Sequence, residues 1–577
     1  MELKQLYDTD FSKMSDEELD YYLKLSSDTT DYLCHKIGIE YNIQDVEIID
    51  KLEQKMKLIE LVFTLAYMAK VNYTDTLGSV KIWEVYIHNF LMDRNLVVVK
   101  PKSSSISSEF AGGYVKDVQV GMHNWVVSFD LDSLYPHLIM GYNISPEMFV
   151  QRLPGFKSID TLLNRTLNLE DEGYSLDYSY AANGCTYLRE KQGFLAEIME
   201  KLYAGRSAYK QEMISVKKEY EKTKNADLQK KISRLNNLQM ALKIFLNSAY
   251  GALGNKYFMW FDVNHAEAIT LSGQLSIRWV SDDVNKYLNK LCGTTNVDYI
   301  IANDTDSLYV CLDTLVGKFF EDQSDKEKIV NWLDKFCDTK LQDVINKSFE
   351  HLAVYMNAYK QKMRMKRETI ADKAIWTAKK RYVMNAWDVE KVRYDKPKLK
   401  MTGIEAIKSS TPLSCRDGIK EALNIIMNKD EKHLQDYVAR FRSKFREMAF
   451  YDIAAPRGVS NVDEYTTNGS SLFRVGTPIN AKGAILYNHL IKKFDLQDKY
   501  ELIGNGDKIR YCYLKTPNPY QVNVIACPGD LPKEFNLERY LNYDLQFEKS
   551  FLSPMEIILN AIGWSYEQRS TLDDFFG

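Results

Sequence analysis

Little in the composition of this chain declares a chemistry. The eight cysteines (Cys34, Cys185, Cys292, Cys311, Cys337, Cys415, Cys512 and Cys527) are scattered, and no two form a CxxC pair. Neither a zinc site nor a disulfide framework is indicated, and reduced thiols in a reducing compartment are the simplest reading. No apolar run approaches the roughly 20 residues that span a bilayer. The opening stretch, MELKQLYDTDF, is polar and acidic and lacks the apolar core of a secretion signal. A soluble, intracellular protein with no membrane partner is expected. A surplus of basic charge is missing as well: the net charge is −4. Bulk attraction to phosphate is therefore excluded, but a local basic face is not. Internal repeats and long low-complexity tracts are also lacking.

What is present is a long chain with material for several cores. Its 577 residues suggest roughly three or four domains. The 45% hydrophobic and 27% charged shares are those of a globular protein. The 38 tyrosines fit a packed core and a polar ligand site equally well. Between residues 15 and 100 apolar positions recur at helical spacing. A Ser- and Gly-rich loop, PKSSSISSEFAGG, precedes a buried-strand pattern, NWVVSFDLDSLY. Two long amphipathic stretches within 194–251, separated by TKNAD, predict an antiparallel helical hairpin. VDYIIA and SLYVCL read as short strands, with Asn303 and Asp304 supplying a turn of positive φ. After Thr411 helices and strands alternate, and a domain boundary is expected near residue 405.

Three clusters are candidates for chemistry. Asp130 ends a buried apolar strand, where an unpaired carboxylate is costly. Asp304 and Asp306 alternate at strand spacing in NDTD. Carboxylates gathered this way repel one another unless a divalent cation lies among them. Taken singly, each DxD is matched by an ordinary solvated turn. On the helical pair, Arg206 and Lys210 share one face, and Lys243, Asn247 and Gly251 repeat the four-residue spacing beside Tyr250. Arg and Lys facing a cleft would hold a triphosphate, though exposed surface charge explains them as well. In TAKKRYVMNAWD, Lys379, Lys380, Arg381 and Tyr382 lie in a strand-like stretch suited to gripping phosphates.

In order, these segments resemble the B-family DNA polymerases. DLDSLYP at 130–136 is similar to their first palm motif, KIFLNSAYG at 243–251 to the fingers motif, NDTDS at 303–307 to the second palm motif and KKRY at 379–382 to the primer grip. The text around them (GYNISPE, YGALGNKY, KPKLKMTGIE, KSSTP) looks most like the polymerases of T-even-type bacteriophages. The resemblance implies an α+β, right-hand polymerase with an antiparallel β palm carrying helices, a helical-hairpin fingers domain and a mixed thumb. It divides the chain into an exonuclease remnant (1–57), N-terminal-domain or linker helices (58–101), palm (102–192 and 255–404), fingers (193–254) and thumb with a clamp-binding tail (405–577). It implies two Mg²⁺ ions, with Mn²⁺ able to substitute, held by Asp130 and Asp306 with Glu368 counted in the metal set and Asp304 beside the catalytic pair. The dNTP would meet Leu131, Ser133, Leu134, Tyr135, Arg206, Lys210, Lys243, Asn247 and Tyr250, with Tyr135 excluding a 2′-hydroxyl. Primer-template DNA would meet Gly251, Lys379, Lys380, Arg381, Tyr382 and the EFAGG loop, including Gly112 and Gly113.

There are departures. Ala302-Asn303 stands where the family usually has Tyr-Gly, and His137 where a small hydroxyl residue is usual. Asn303 is expected to replace Gly by tolerating positive φ. EYNIQDVEIID at 40–50 resembles only the last of three proofreading-exonuclease motifs, with Tyr41 and Asp45 as its residues. A separate N-terminal polypeptide completing the nuclease is therefore expected, as in a split polymerase. Leu572, Phe575 and Phe576 near the end resemble a peptide that hooks a sliding clamp. In the host cytoplasm of a virus such a chain would act as a replicative enzyme. A catalytically inactive, polymerase-like DNA-binding scaffold is the alternative, and a protein-primed polymerase is disfavoured by the KKRY form.

Overall fold

A computed structural model describes residues 29–97, 110–467 and 472–567. The tail residues Leu572, Phe575 and Phe576 lie outside the described residues. In chain order, helices α1 (Thr29–Met56), α2 (Leu58–Ala69) and α3 (Ser79–Met92) come first. Strand β1 (Gly121–Leu131) leads into α4 (Leu134–Tyr142), followed by β2 (Phe149–Arg152), β3 (Tyr178–Tyr180) and β4 (Cys185–Leu188). The long helices α5 (Phe194–Thr223), α6 (Ala226–Leu253) and α7 (Val263–Cys292) precede β5 (Ile300–Asp304) and β6 (Ser307–Cys311). Next come β7 (Met365–Ala378), β8 (Arg381–Val389) and β9 (Val392–Thr402). The C-terminal part carries α8 (Leu413–Asn428), α9 (Glu431–Phe445), β10 (Ala455–Gly458), α10 (Ile479–Lys493), β11 (Lys508–Tyr513) and β12 (Val524–Cys527). The fold is α+β, with antiparallel pairing in its sheets.

The described residues fall into two compact units, one within Met1–Ser108 and Gly193–Ala266, the other within Glu109–Gln192 and Glu267–Gly577. In the first, α5 and α6 form the expected hairpin. Lys224 breaks α5 in the left-handed region (φ 52°), and the Asn225 side chain caps α6 by accepting the Asp227 N–H. Met213, Val216 and Leu235 are buried between the two helices. The other face of α6 packs on α3: Trp83 stacks on Phe245 with ring centroids 4.3 Å apart, and its indole N–H donates to Ser248 Oγ at 2.9 Å. Burial of Leu242, Phe245, Leu246 and Ala249 turns Lys243, Asn247 and Gly251 to the solvent side. The i, i+4, i+8 spacing is the geometric consequence.

The second unit is built on a six-stranded sheet ordered β5-β6-β1-β7-β8-β9. β1 is central, and five consecutive residues from Trp125 to Phe129 are buried. The C-terminal segment packs onto the same sheet through a core that runs from Ile375 and Val383 to Leu559, so burial is continuous across residue 405. No described helix is long and apolar enough to cross a membrane.

Candidate active site

Strand pairing sets the site. Asp130 lies opposite Ser307 on β6 and Lys366 on β7. The β5–β6 hairpin brings Asp304 and Asp306 to the same end of the sheet, where the Leu131 N–H donates to the Asp306 carbonyl at 2.9 Å. The positive φ falls on Thr305 (58°), not on Asn303 or Asp304. Asn303 is a strand residue with a buried side chain, whose Nδ2 donates to Ser281 Oγ at 3.1 Å. The expectation that it stands in for a flexible Gly is therefore corrected. Tertiary packing against α7 holds it in the sheet, and the hairpin reverses one residue pair later.

The segment after Gly113 runs alongside β5. Val115 bridges to Asp304, and the Thr305 N–H donates to the Tyr114 carbonyl at 2.8 Å. Gly113 is pressed against this turn, since a Cβ there would lie 2.8 Å from Thr305 Cγ2. The carbonyl of Gly112 accepts from Gln274 Nε2 at 2.5 Å. The glycine pair and the aspartate turn thus form one local assembly.

The carboxylates at this end of the sheet strain against one another. Burial, then the Asp306 and Glu368 charges, push Asp130 up to about 7, against a Ser307 hydroxyl that donates to it at 3.0 Å and the Lys400 charge. Asp306 is also raised, by burial and by Asp304 and Glu368, while Lys380 opposes the rise. Lys380 Nζ lies 2.8 Å from Asp304 Oδ1. Lys379 and Lys380 form the β7–β8 turn, with Lys380 at φ 60°, rather than strand as read from the sequence; only Arg381 and Tyr382 are on β8. Gly403 explains the tight fit, because a Cβ there would sit 2.2 Å from the Lys380 carbonyl oxygen.

Other candidates are placed as follows. Ser133 takes a left-handed conformation (φ 47°) at the start of α4. Leu134 and Tyr135 lie against α7 at Gly273, where a Cβ would come within 3.5 Å and 3.7 Å of them. Leu131 is buried. Lys379 pairs with Asp117 at 2.9 Å. Arg381 grips Glu405 through two guanidinium hydrogen bonds of 2.9 and 2.8 Å. Tyr382 is a core residue: its ring stacks on Trp376 and its hydroxyl lies 2.8 Å from that of Tyr309. It is buried in the sheet's core. In the first unit Lys210, Lys243, Asn247 and Gly251 are exposed, Arg206 is half-buried, and burial raises the Tyr250 hydroxyl pKa. Asp45 is exposed on α1, the helix that also carries Tyr41. His137 is buried, with Nδ1 3.0 Å from the Ser133 carbonyl.

Three further residues of this end of the sheet, Ser307 at the end of NDTDS, Ser128 and Lys400, have no sequence feature that assigns them a role. Ser307 bonds Asp130, Ser128 Oγ donates to Glu368 at 3.3 Å, and Lys400 Nζ donates to Glu368 Oε2 at 2.8 Å. Only register and β-pairing reveal them. Among the described residues, no group of three or more His, Cys, Asp or Glu side chains gathers closely enough to hold a metal ion. The assignment of Glu368 to a metal set alongside Asp130 and Asp306 therefore has no preformed three-carboxylate cage behind it.

This antiparallel sheet, with carboxylates at one end and a basic turn beside them, lies in a chain that is similar to known polymerases. Residues 74–328 match the model of DNA polymerase family B. Viral proteins are among its relatives. It is 30% identical over 598 residues to the DNA-directed DNA polymerase of Escherichia phage RB69, and 29% identical over 600 residues to that of Enterobacteria phage T4. Each alignment takes in 94% of this chain but 65% of the phage protein, so the chain spans less than two thirds of these relatives' length. It is also 30% identical over 324 residues to DNA polymerase beta of African swine fever virus (strain Badajoz 1971 Vero-adapted), covering 52% of this chain and 25% of that protein.

Proposed function

We propose that this chain is a template-directed, primer-dependent DNA polymerase that adds dNMPs to a primer 3′-hydroxyl. The observation that carries the reading is the carboxylate pair Asp130 and Asp306, sheltered and mutually repelling, with Asp130 pushed up to about 7. Such a pair is short of positive charge. Mg²⁺ is commonly bound by one or two carboxylates with substrate phosphates completing its shell, so two carboxylates without a protein cage suit it. When bound, divalent ions of this kind favour the 3′-alkoxide and offset charge on the leaving group; we assign two Mg²⁺ sites, with Mn²⁺ as a substitute.

The residues of the chain have separate tasks in this reading. Asp130 and Asp306 hold the countercharge for the reacting phosphate. Arg206, Lys243 and Asn247, with Lys210 close by in sequence, bind the triphosphate. Lys380 leaves Asp304 for the primer end, and Tyr135 limits the sugar. The primer 3′-oxygen bonds to the α-phosphorus as its proton departs, and the bond to the pyrophosphate oxygen breaks. Positioning and charge stabilisation supply the acceleration. The remaining proofreading carboxylates are proposed to come from a further polypeptide, since EYNIQDVEIID resembles only the last of the three nuclease motifs. The Leu572, Phe575 and Phe576 tail is proposed to engage a sliding clamp.

The test is primer extension with dNTPs and Mg²⁺ by the wild type and Asp306→Asn. A loss of about a thousandfold or more is expected; equal extension by both would sink the mechanism, and a wild type that binds primer-template without extending it would favour the scaffold alternative.

A further inference from the structure

Glu368 is held in a way that its place in the sequence does not suggest. Pairing between β1 and β7 passes from Ser128–Thr369 to Phe129–Arg367, so Glu368 is the extra residue of a β-bulge, with no residue opposite it in the β1 register. Bulges re-aim side chains. This one turns Glu368 toward Lys400, which reaches from β9 across β8. Lys400 Nζ donates to Glu368 Oε2 at 2.8 Å and to Thr369 Oγ1 at 3.1 Å. Ser128 Oγ donates to the same Oε2 at 3.3 Å and accepts the Thr369 N–H at 3.1 Å. Lys400 and Glu368 side chains are 26% and 28% exposed, so the pair is partly screened from water. The Glu368 charge nevertheless reaches both Asp130 and Asp306.

We propose that Lys400 is a positioning residue: its ammonium holds Glu368 away from Asp130 and Asp306, leaving a two-carboxylate site whose remaining ion positions are open to the triphosphate. The inference rests on the reading of Asp130 and Asp306 as ion-binding residues. It accounts for the absence, among the described residues, of a preformed three-carboxylate group at this end of the sheet. Charge bookkeeping gives a signature that simple loss of packing would not. Removing Lys400 alone leaves Glu368 anionic and unrestrained, so divalent ions bind tighter. Removing Glu368 alone leaves Lys400 as an uncompensated cation, so they bind more weakly. Removing both restores the net charge of the wild type.

The experiment is a Mn²⁺ titration of the DNA-free protein by electron paramagnetic resonance, alongside primer extension. Lys400→Met should tighten Mn²⁺ binding about fivefold or more. Glu368→Gln should weaken it by a similar factor, and the double variant should return to within about twofold of wild type. Lys400→Arg should stay near wild type. Lys400→Gln serves as a second truncation should the methionine variant fold poorly, which thermal melting reveals. Binding that Lys400→Met and Lys400→Gln leave unchanged or weaken overturns the proposal, as does tightening that persists in the double variant. A wild type that shows this Mn²⁺ pattern but extends no primer refutes the polymerase reading and leaves the role of Lys400 intact.

Discussion

At the scale of single residues, Asp130 shows what a strand end can do to a carboxylate. Burial and the neighbouring Asp306 raise it from 3.8 to about 7. A carboxyl with a raised value in the folded chain holds its proton more tightly there than when unfolded. Its contribution to stability is therefore complete below the unfolded value and is lost as pH rises toward about 7. In EDTA, the wild type should lose melting temperature between about pH 4 and pH 7 through this residue. Asp130→Asn should flatten that slope and raise Tm at about pH 8 by on the order of 1–2 °C, while abolishing extension. Melting curves across the pH range decide it; an asparagine variant less stable than wild type at the upper end would contradict the assigned strain. The aspartates themselves were legible from DLDSLYP and NDTDS. Their helpers were not, because nothing in the sequence shows that Ser128, just before the first motif, and Lys400, far from both, meet Glu368 through strand pairing.

Secondary-structure elements differ in how plainly the sequence shows them, for physical reasons particular to each. The α5–α6 hairpin is plain in the sequence because its apolar period, its breaker at TKNAD and its cap at Asn225 agree. The β5–β6 hairpin is legible but the position of its turn is not, since Asn303 favours positive φ locally and the buried contact with Ser281 overrides that preference. KKRY has the composition of a strand, yet only Arg381 and Tyr382 are strand residues, whereas Lys379 and Lys380 turn the corner. Gly113 supplies the test at this scale. Replacing it by Ala places a methyl group against Thr305, a β-branched residue with little freedom at χ1. Gly113→Ala should reduce extension about tenfold by displacing the turn between Asp304 and Asp306. Thr305→Gly in the same chain should recover most of the loss, since it removes the obstructing atoms at a positive-φ position. Failure of that rescue in steady-state extension assays would separate Gly113 from the turn.

For the whole molecule, a net charge of −4 means that any grip on DNA is a matter of local placement. Lys379 and Lys380 form a basic corner whose present partners, Asp117 and Asp304, are carboxylates that phosphate would displace. The double substitution Lys379→Ala, Lys380→Ala should weaken primer-template binding similarly for all sequences and shrink the slope of log K against log salt by about 1–2. Fluorescence anisotropy across a salt series reads this directly. An unchanged slope would remove both lysines from the phosphate-contacting set.

The sequence by itself determined the order of the motifs, the two long helices, the apolar strand ending at Asp130 and the α+β class. Those follow from local periodicity and residue chemistry, which need no partner to be read. Tertiary structure alone decided that Glu368 sits on a bulge tied to Lys400, that Tyr382 belongs to the core, and that Asn303 remains in the sheet. Each depends on which strand lies beside which, and in what register. A one-residue shift in register turns a side chain to the opposite face of a sheet.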